Sequence, residues 1–175
     1  RYPKTEILWS RHPMTNLTEH TNAIAEILKA RKQTVAVAET SAGGLVSAQL
    51  LAVPGASAYF VGGGVLYTGE ARIALAGIGD SDMEGIRSSS EPFAALLAKT
   101  MREHLGTTWG LAETGAAGPS GNRYGDDAGH TCIAVSGPVS KVITIETART
   151  ERGENMWRFA AEALALFQGC LDNQD

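Results

Sequence analysis

Thr34-Val35-Ala36-Val37-Ala38-Glu39-Thr40-Ser41-Ala42-Gly43-Gly44-Leu45 begins as an apolar, β-prone run and ends by opening a helix. Thr34 to Ala38 is short and uninterrupted, as a buried strand should be. Two adjacent hydroxyls and a Gly pair follow, and then Leu45, Val46, Ala48, Leu50 and Leu51 recur at helical spacing. A strand thus reaches a helix N-terminus through one tight turn. Unpaired N–H groups and the positive end of the helix dipole meet at such a turn, which suits an anion or a developing oxyanion. Gly43 and Gly44 carry no Cβ to hold a ligand off the backbone. The simpler reading of the same residues is that Thr40 or Ser41 caps the helix.

Toward the N-terminus, residues from Asn16 onward have helical periodicity. Asn16 and Glu19 have capping-box spacing, and Leu17, Ile24, Ile27 and Leu28 share a face. Residues 1–13 have no periodicity and no apolar core of a signal peptide, and Met14 reads as a start. They are expected to be a leader or a variable extension ahead of a single domain, residues 14–175.

Toward the C-terminus, Val53-Pro54-Gly55 stops the helix, and residues 58–67 read as a strand, or as two strand pieces bent at Gly62 to Gly64. A short helix from Glu70 to Ala76 ends at Gly77, and an acidic loop spans residues 78–87. One of Ser88, Ser89 and Ser90 caps a long helix with Phe93, Leu96, Leu97, Met101 and Leu105 on its apolar face. Thr108 to Ala112 is the next strand, followed by a Gly-rich loop from Glu113 to Gly121 that stays irregular through Gly129. β-Branched runs at 131–136 and 142–147, split by Gly137-Pro138, predict a hairpin. A last helix from about Glu151 buries Met156, Phe159, Ala160, Ala163, Leu164 and Phe167. The alternation predicts an α/β fold: three α/β/α layers around a mixed, mostly parallel sheet with a late antiparallel hairpin.

The 175 residues are 43% apolar and 19% charged, with a formal charge of −4. With no Lys/Arg cluster, that balance argues against nucleic acid as a partner. No run of about 18 apolar residues predicts a membrane span. Cys132 and Cys170 match no metal or redox spacing and read as reduced thiols of a cytoplasmic protein. No metal and no cofactor are expected. There is no Walker A sequence, GxSxG elbow, SxxK pair or HExxH. Of the four scattered histidines, His130 is the one placed to approach a crevice beyond the strand ends.

Three expected strand ends carry polar or Gly-rich sequence: Glu39 to Gly44, Tyr67 to Arg72, and Glu113 to Gly121. They offer hydroxyls and backbone N–H groups, then a phenol and a guanidinium, then Thr114 with a loop able to wrap a phosphate or sugar.

The runs AETSAGG, VPGASAYFVGGGVLYTGEAR and TGAAGPSG resemble the CinA C-terminal domain family, whose members show AESCTGG, PGSSAYF…VxYSNEAK and TGIAGPxGG. The similarity covers about residues 25–167, in order. It implies a nicotinamide mononucleotide deamidase, which hydrolyses the carboxamide to the acid and releases ammonia. It also implies a small-molecule nucleotide as partner and self-association. By position, the family Ser falls on Thr40, its Cys on Ser41 and its Thr on Ala42; the family Tyr is Tyr67 and the family Lys is Arg72. The catalytic set carried over is therefore Thr40, Ser41, Tyr67 and Arg72. The substrate-binding set is Glu39, Gly43, Gly44, Thr114, Gly115, Gly118 and Arg152. Arg, with a pKa above about 12, does not take a proton as a neutral Lys can. Thr40 and Ser41 both stand as nucleophiles, and a catalytically silent nucleotide-binding module is the alternative to an amidase.

Overall fold

The computed structural model describes residues 14–174, so the expected leader, residues 1–13, lies outside the described residues. In chain order the elements are α1 (Met14–Arg31), β1 (Val35–Glu39), α2 (Leu45–Leu51), β2 (Phe60–Val65), α3 (Gly69–Ala76), α4 (Glu91–Leu105), β3 (Trp109–Ala116), β4 (His130–Ser136), β5 (Lys141–Glu146) and α5 (Arg152–Asp172). They build one five-stranded sheet of order β2-β1-β3-β4-β5. β1 pairs parallel with β2 and β3, while β4 is antiparallel to both β3 and β5. Four strands therefore point one way and β4 opposes them, which is the mixed sheet with a late hairpin that the sequence predicts.

Alternation along the strands sorts the two faces. Val35, Val37, Trp109, Leu111, Ile133 and Val135 pack with residues of α1, α2 and α5, among them Ile24, Leu50, Phe159 and Phe167. Ala36, Ala38, Ala112 and Ala134 face Phe93, Leu97 and Met101 of α4. Small residues let α4 lie close to the sheet: a Cβ at Gly110 would run into the Ala98 carbonyl. On the opposite face the Trp109 ring meets Phe167 edge-on with centroids 5.7 Å apart. Among the described residues no helix is long and apolar enough to cross a membrane.

Two local expectations change and two open readings are decided. α1 already runs from Met14, so Asn16 lies inside the helix rather than at its cap. β2 does not bend at its glycines; Gly62, Gly63 and Gly64 lie in register with Ala36, Val37 and Ala38, and the irregularity falls one residue earlier. There a Cβ at Gly63 would meet the Val37 carbonyl and Ser47 Oγ, both at 2.9 Å, so glycine admits the neighbouring elements. β3 continues four residues past Ala112, because His130 to Ile133 of β4 supply partners for Glu113 to Ala116. Of the three candidate serines, Ser90 caps α4, accepting from Phe93 N–H.

Candidate active site

β1 ends beside β3, with Glu39 and Glu113 in register and each 1% exposed. Their carboxylates face different donors. Glu39 turns onto the start of α2 and accepts from the N–H groups of Gly44 (2.9 Å), Val46 (3.0 Å) and Ser47 (2.8 Å), and from Ser47 Oγ (2.8 Å). A helix N-terminus leaves donors that need an acceptor, and here a carboxylate from the same chain supplies it. Of the N–H groups from Ser41 to Gly44 that the sequence offers to an oxyanion or phosphate, that of Gly44 donates to Glu39, that of Ala42 to Glu113 and that of Gly43 to the Thr40 carbonyl. Gly43 and Gly44 take left-handed conformations (φ 67° and 97°) that make the turn. Neither they nor Glu39 line the cleft described next.

Glu113 accepts from Ser41 Oγ (2.5 Å) and Thr131 Oγ1 (2.9 Å) on Oε1, and from the N–H groups of Ala42 (2.7 Å) and Thr40 (3.3 Å) on Oε2. Burial pushes its pKa up; bonds from Ser41, Ala42 and Thr131 oppose that rise, while the Glu39 charge adds to it.

Beyond the strand ends lies a cleft of two lobes that share Tyr67 and Gly115. The first, about 290 Å³, is lined by Thr40, Thr68, Arg72, Ser88, Ser89 and Thr114 among others. The second, about 220 Å³, includes Ser41, Gly118, Asn122 and Arg152. Both lobes together reach the range of roughly 300–1,000 Å³ usual for ligand sites. The two candidate nucleophiles are thus consecutive residues lining different lobes. The Thr40 hydroxyl makes no hydrogen bond among the described residues, whereas the Ser41 hydroxyl donates to Glu113.

Cationic side chains flank both lobes. Arg72, 11% exposed at its side chain, donates from Nη2 to the exposed Asp80 at 2.6 Å. Its Nε is buried with no hydrogen-bond partner. Arg152 donates to the Gly118 carbonyl (2.7 Å) and the Tyr67 hydroxyl (2.8 Å), and its guanidinium lies 5.9 Å from the centre of the Tyr67 ring. Of the predicted residues, the cleft therefore brings together Thr40, Ser41, Tyr67, Arg72, Thr114, Gly115, Gly118 and Arg152.

His130 does not reach the cleft; it stands behind the wall formed by Ser88 and Ser89. Its Nε2 lies 2.9 Å from the Ser89 carbonyl and its Nδ1 2.5 Å from Glu146, with Asp126 at 3.7 Å. Burial alone would lower the His130 pKa; Glu146, the Ser89 carbonyl and Asp126 outweigh it and hold it above the usual range. Arg87, paired with Asp126 at 2.5 and 2.9 Å, also donates to the carbonyls of Ser88 and Ser89. These contacts hold Ser89 in a left-handed conformation (φ 55°).

Sequence reasoning missed Glu113, Thr131 and the Ser88–Ser89 wall as site residues. One signal was present: Ala-Glu-Thr closes two neighbouring strand runs, at 38–40 and at 112–114. The site offers hydroxyl nucleophiles, a carboxylate, two guanidinium groups and a phenol. Both thiols are buried, and burial raises their pKa.

The chain is 33% identical over 146 residues to a CinA-like protein of Nostoc punctiforme, which covers 83% of this chain and 35% of that protein. It is 35% identical over 144 residues to the CinA-like protein of Thermosynechococcus vestitus, covering 82% of this chain and 35% of that one. The chain spans about a third of the length of these curated relatives. Among solved structures, the competence damage-inducible protein A of Klebsiella pneumoniae superposes with a TM-score of 0.85 at 22% identity, over 91% of this chain and 99% of that one. A CinA superfamily protein of Escherichia coli gives 0.82 at 23% identity, over 90% and 93%. Identities that low speak for the fold alone. The CinA C-terminal domain itself matches residues 17–171, nearly the whole of the described structure, and the chain belongs to that family.

Proposed function

We propose that this domain hydrolyses the carboxamide of a nicotinamide mononucleotide-like substrate, giving the carboxylic acid and ammonia. The observation that carries the reading is the placement of two consecutive hydroxyls, Thr40 and Ser41, in a two-lobed cleft between Arg72 and Arg152. The substrate has an anionic phosphate at one end and an amide at the other. A buried guanidinium N–H without an acceptor is costly, so the unpartnered Arg72 Nε favours an anionic group in the first lobe. The hydroxyls of Thr40, Thr68, Ser88, Ser89 and Thr114 around it are further donors. Amide hydrolysis needs a nucleophile, a proton acceptor, donors for the oxyanion and an acid for the leaving ammonia. Arg72 serves charge and orientation rather than proton transfer. Self-association and a cytoplasmic setting belong to the same reading.

Thermal unfolding with and without nicotinamide mononucleotide, with ammonia measured in the same samples, tests it. Binding to the folded state alone raises the melting temperature as ligand exceeds Kd. Stabilisation with ammonia release is the expected result; neither effect would remove the reading. A second reading, a silent nucleotide-binding module, is favoured by the Thr40 hydroxyl, which has no hydrogen-bonded base. Its mark would be a parent chain that binds without turnover while the Thr40→Ser, Arg72→Lys variant releases ammonia.

A further inference from the structure

We propose that Ser41 is the nucleophile of this site and Glu113 its general base. The inference rests on the amidase reading for its substrate but not for its nucleophile–base pair.

The two oxygens of Glu113 are used differently. Oε2 accepts only backbone N–H groups, from Thr40 and Ala42, which pins the turn after β1. Oε1 accepts only hydroxyls, from Ser41 at 2.5 Å and Thr131 at 2.9 Å. All four partners are donors, so the geometry suits a carboxylate that can receive a proton from Ser41. Among the described residues no cation pairs with Glu113, so burial leaves it a stronger base than an exposed carboxylate. Thr40 has no such partner, and Arg72 cannot act as one. Catalysis would then run one residue beyond the position that the family resemblance assigns to the nucleophile.

The steps balance within this set of groups. As Ser41 Oγ bonds to the carboxamide carbon, its proton passes to Glu113 Oε1 and the carbonyl electron pair becomes an oxyanion. The Arg152 guanidinium and the Tyr67 hydroxyl, which accepts from Arg152 and keeps its own proton to donate, border the same lobe. Collapse breaks the C–N bond, and Glu113 returns the proton to the departing nitrogen, which leaves as ammonia. Water then attacks the acyl-Ser41 ester, Glu113 takes its proton, and the acid departs as that proton restores the Ser41 hydroxyl.

A fluorophosphonate probe separates this pairing from the choice of substrate, because it reports the reactive hydroxyl without needing an amide. Peptide mapping of the treated full chain is expected to place the phosphonyl group on Ser41. Glu113→Gln keeps an oxygen for the two backbone N–H groups but turns an NH₂ toward Ser41, and should slow labelling about 10²–10⁴-fold. In Thr40→Val, which removes the neighbouring hydroxyl, the label should still map to Ser41. Label on Thr40, equal labelling in Glu113→Gln, or no labelling above a denatured control would overturn the pairing. The position mapped in the parent and in Thr40→Val decides the matter even if Glu113→Gln does not fold. Labelled Ser41 with no ammonia from nicotinamide mononucleotide would remove the substrate reading while leaving the pair intact.

Discussion

Two neighbouring strands carry the same three residues side by side, Ala38-Glu39-Thr40 and Ala112-Glu113-Thr114, and the two glutamates have different roles. After Thr40 the chain turns into α2, and the Glu39 carboxylate is consumed by the helix's own N–H groups. After Thr114 the chain continues as strand to Ala116, and Glu113 meets donors from other segments, two of them hydroxyls. One glutamate is a structural lock and the other faces chemistry. Local sequence was the same; the donors within reach were not.

Substitutions at the two positions should therefore fail in opposite ways. Glu113→Gln is expected to cost about 10²–10⁴ in ammonia release, the usual size of a general-base contribution. Its melting temperature at neutral pH should hold or rise. The sign follows from the raised pKa of Glu113: between its unfolded and folded values the unfolded chain has lost a proton that the folded chain retains, so folding pays for ionising this group as pH rises. A fall in melting temperature as large as the Glu39 variant's would erase the distinction.

Glu39→Ala should do the reverse, lowering stability by about 3–5 kcal/mol as four donors at the start of α2 lose their acceptor. Denaturant unfolding checks it, and a loss under about 1 kcal/mol would mean that water replaces the carboxylate easily. Arg72→Ala tests the first lobe: nicotinamide mononucleotide affinity, read from thermal shifts, should drop about 10- to 150-fold, the worth of a charged hydrogen bond. Unchanged affinity would place the anionic group elsewhere.

Gly43→Ala sharpens the comparison from the side of the turn. Its left-handed φ of 67° and a Cβ 2.8 Å from the end of the flexible Met156 side chain predict a cost of about 1–2 kcal/mol in stability. Turnover per folded molecule should be retained, since Glu39 and not a ligand uses this turn; lost turnover would restore the turn as an oxyanion site. The smallest effect should come from His130, through pH. Its raised pKa means that its stabilising contribution is complete below the ordinary value near 6.5 and is lost as pH rises through the folded value. His130→Gln should flatten that part of the stability–pH profile. Asp126, Glu146, Arg87 and Cys132 around it set the remaining slope.

Much of the fold was legible because it is local. The run into Gly44, the stop at Pro54-Gly55, the Gly77 cap, the hairpin at Gly137-Pro138 and the buried stripe of α5 all obey periods of two or 3.6 residues and their breakers. Arg152 followed only from a weak positional match with the family, and its contact with Tyr67 spans 85 positions. The full length of β3 is not legible in the sequence, because Glu113 to Ala116 look like a Gly-rich loop until β4 pairs with them.

By itself, the sequence determined the α/β alternation, the family and a short set of polar strand ends, because hydrophobic period and turn chemistry act over a few neighbouring residues. Tertiary structure alone decided how those ends are used. Glu113 reaches Ser41 across 72 positions because β1 and β3 are adjacent and in register, a relation set by strand order rather than by any local pattern.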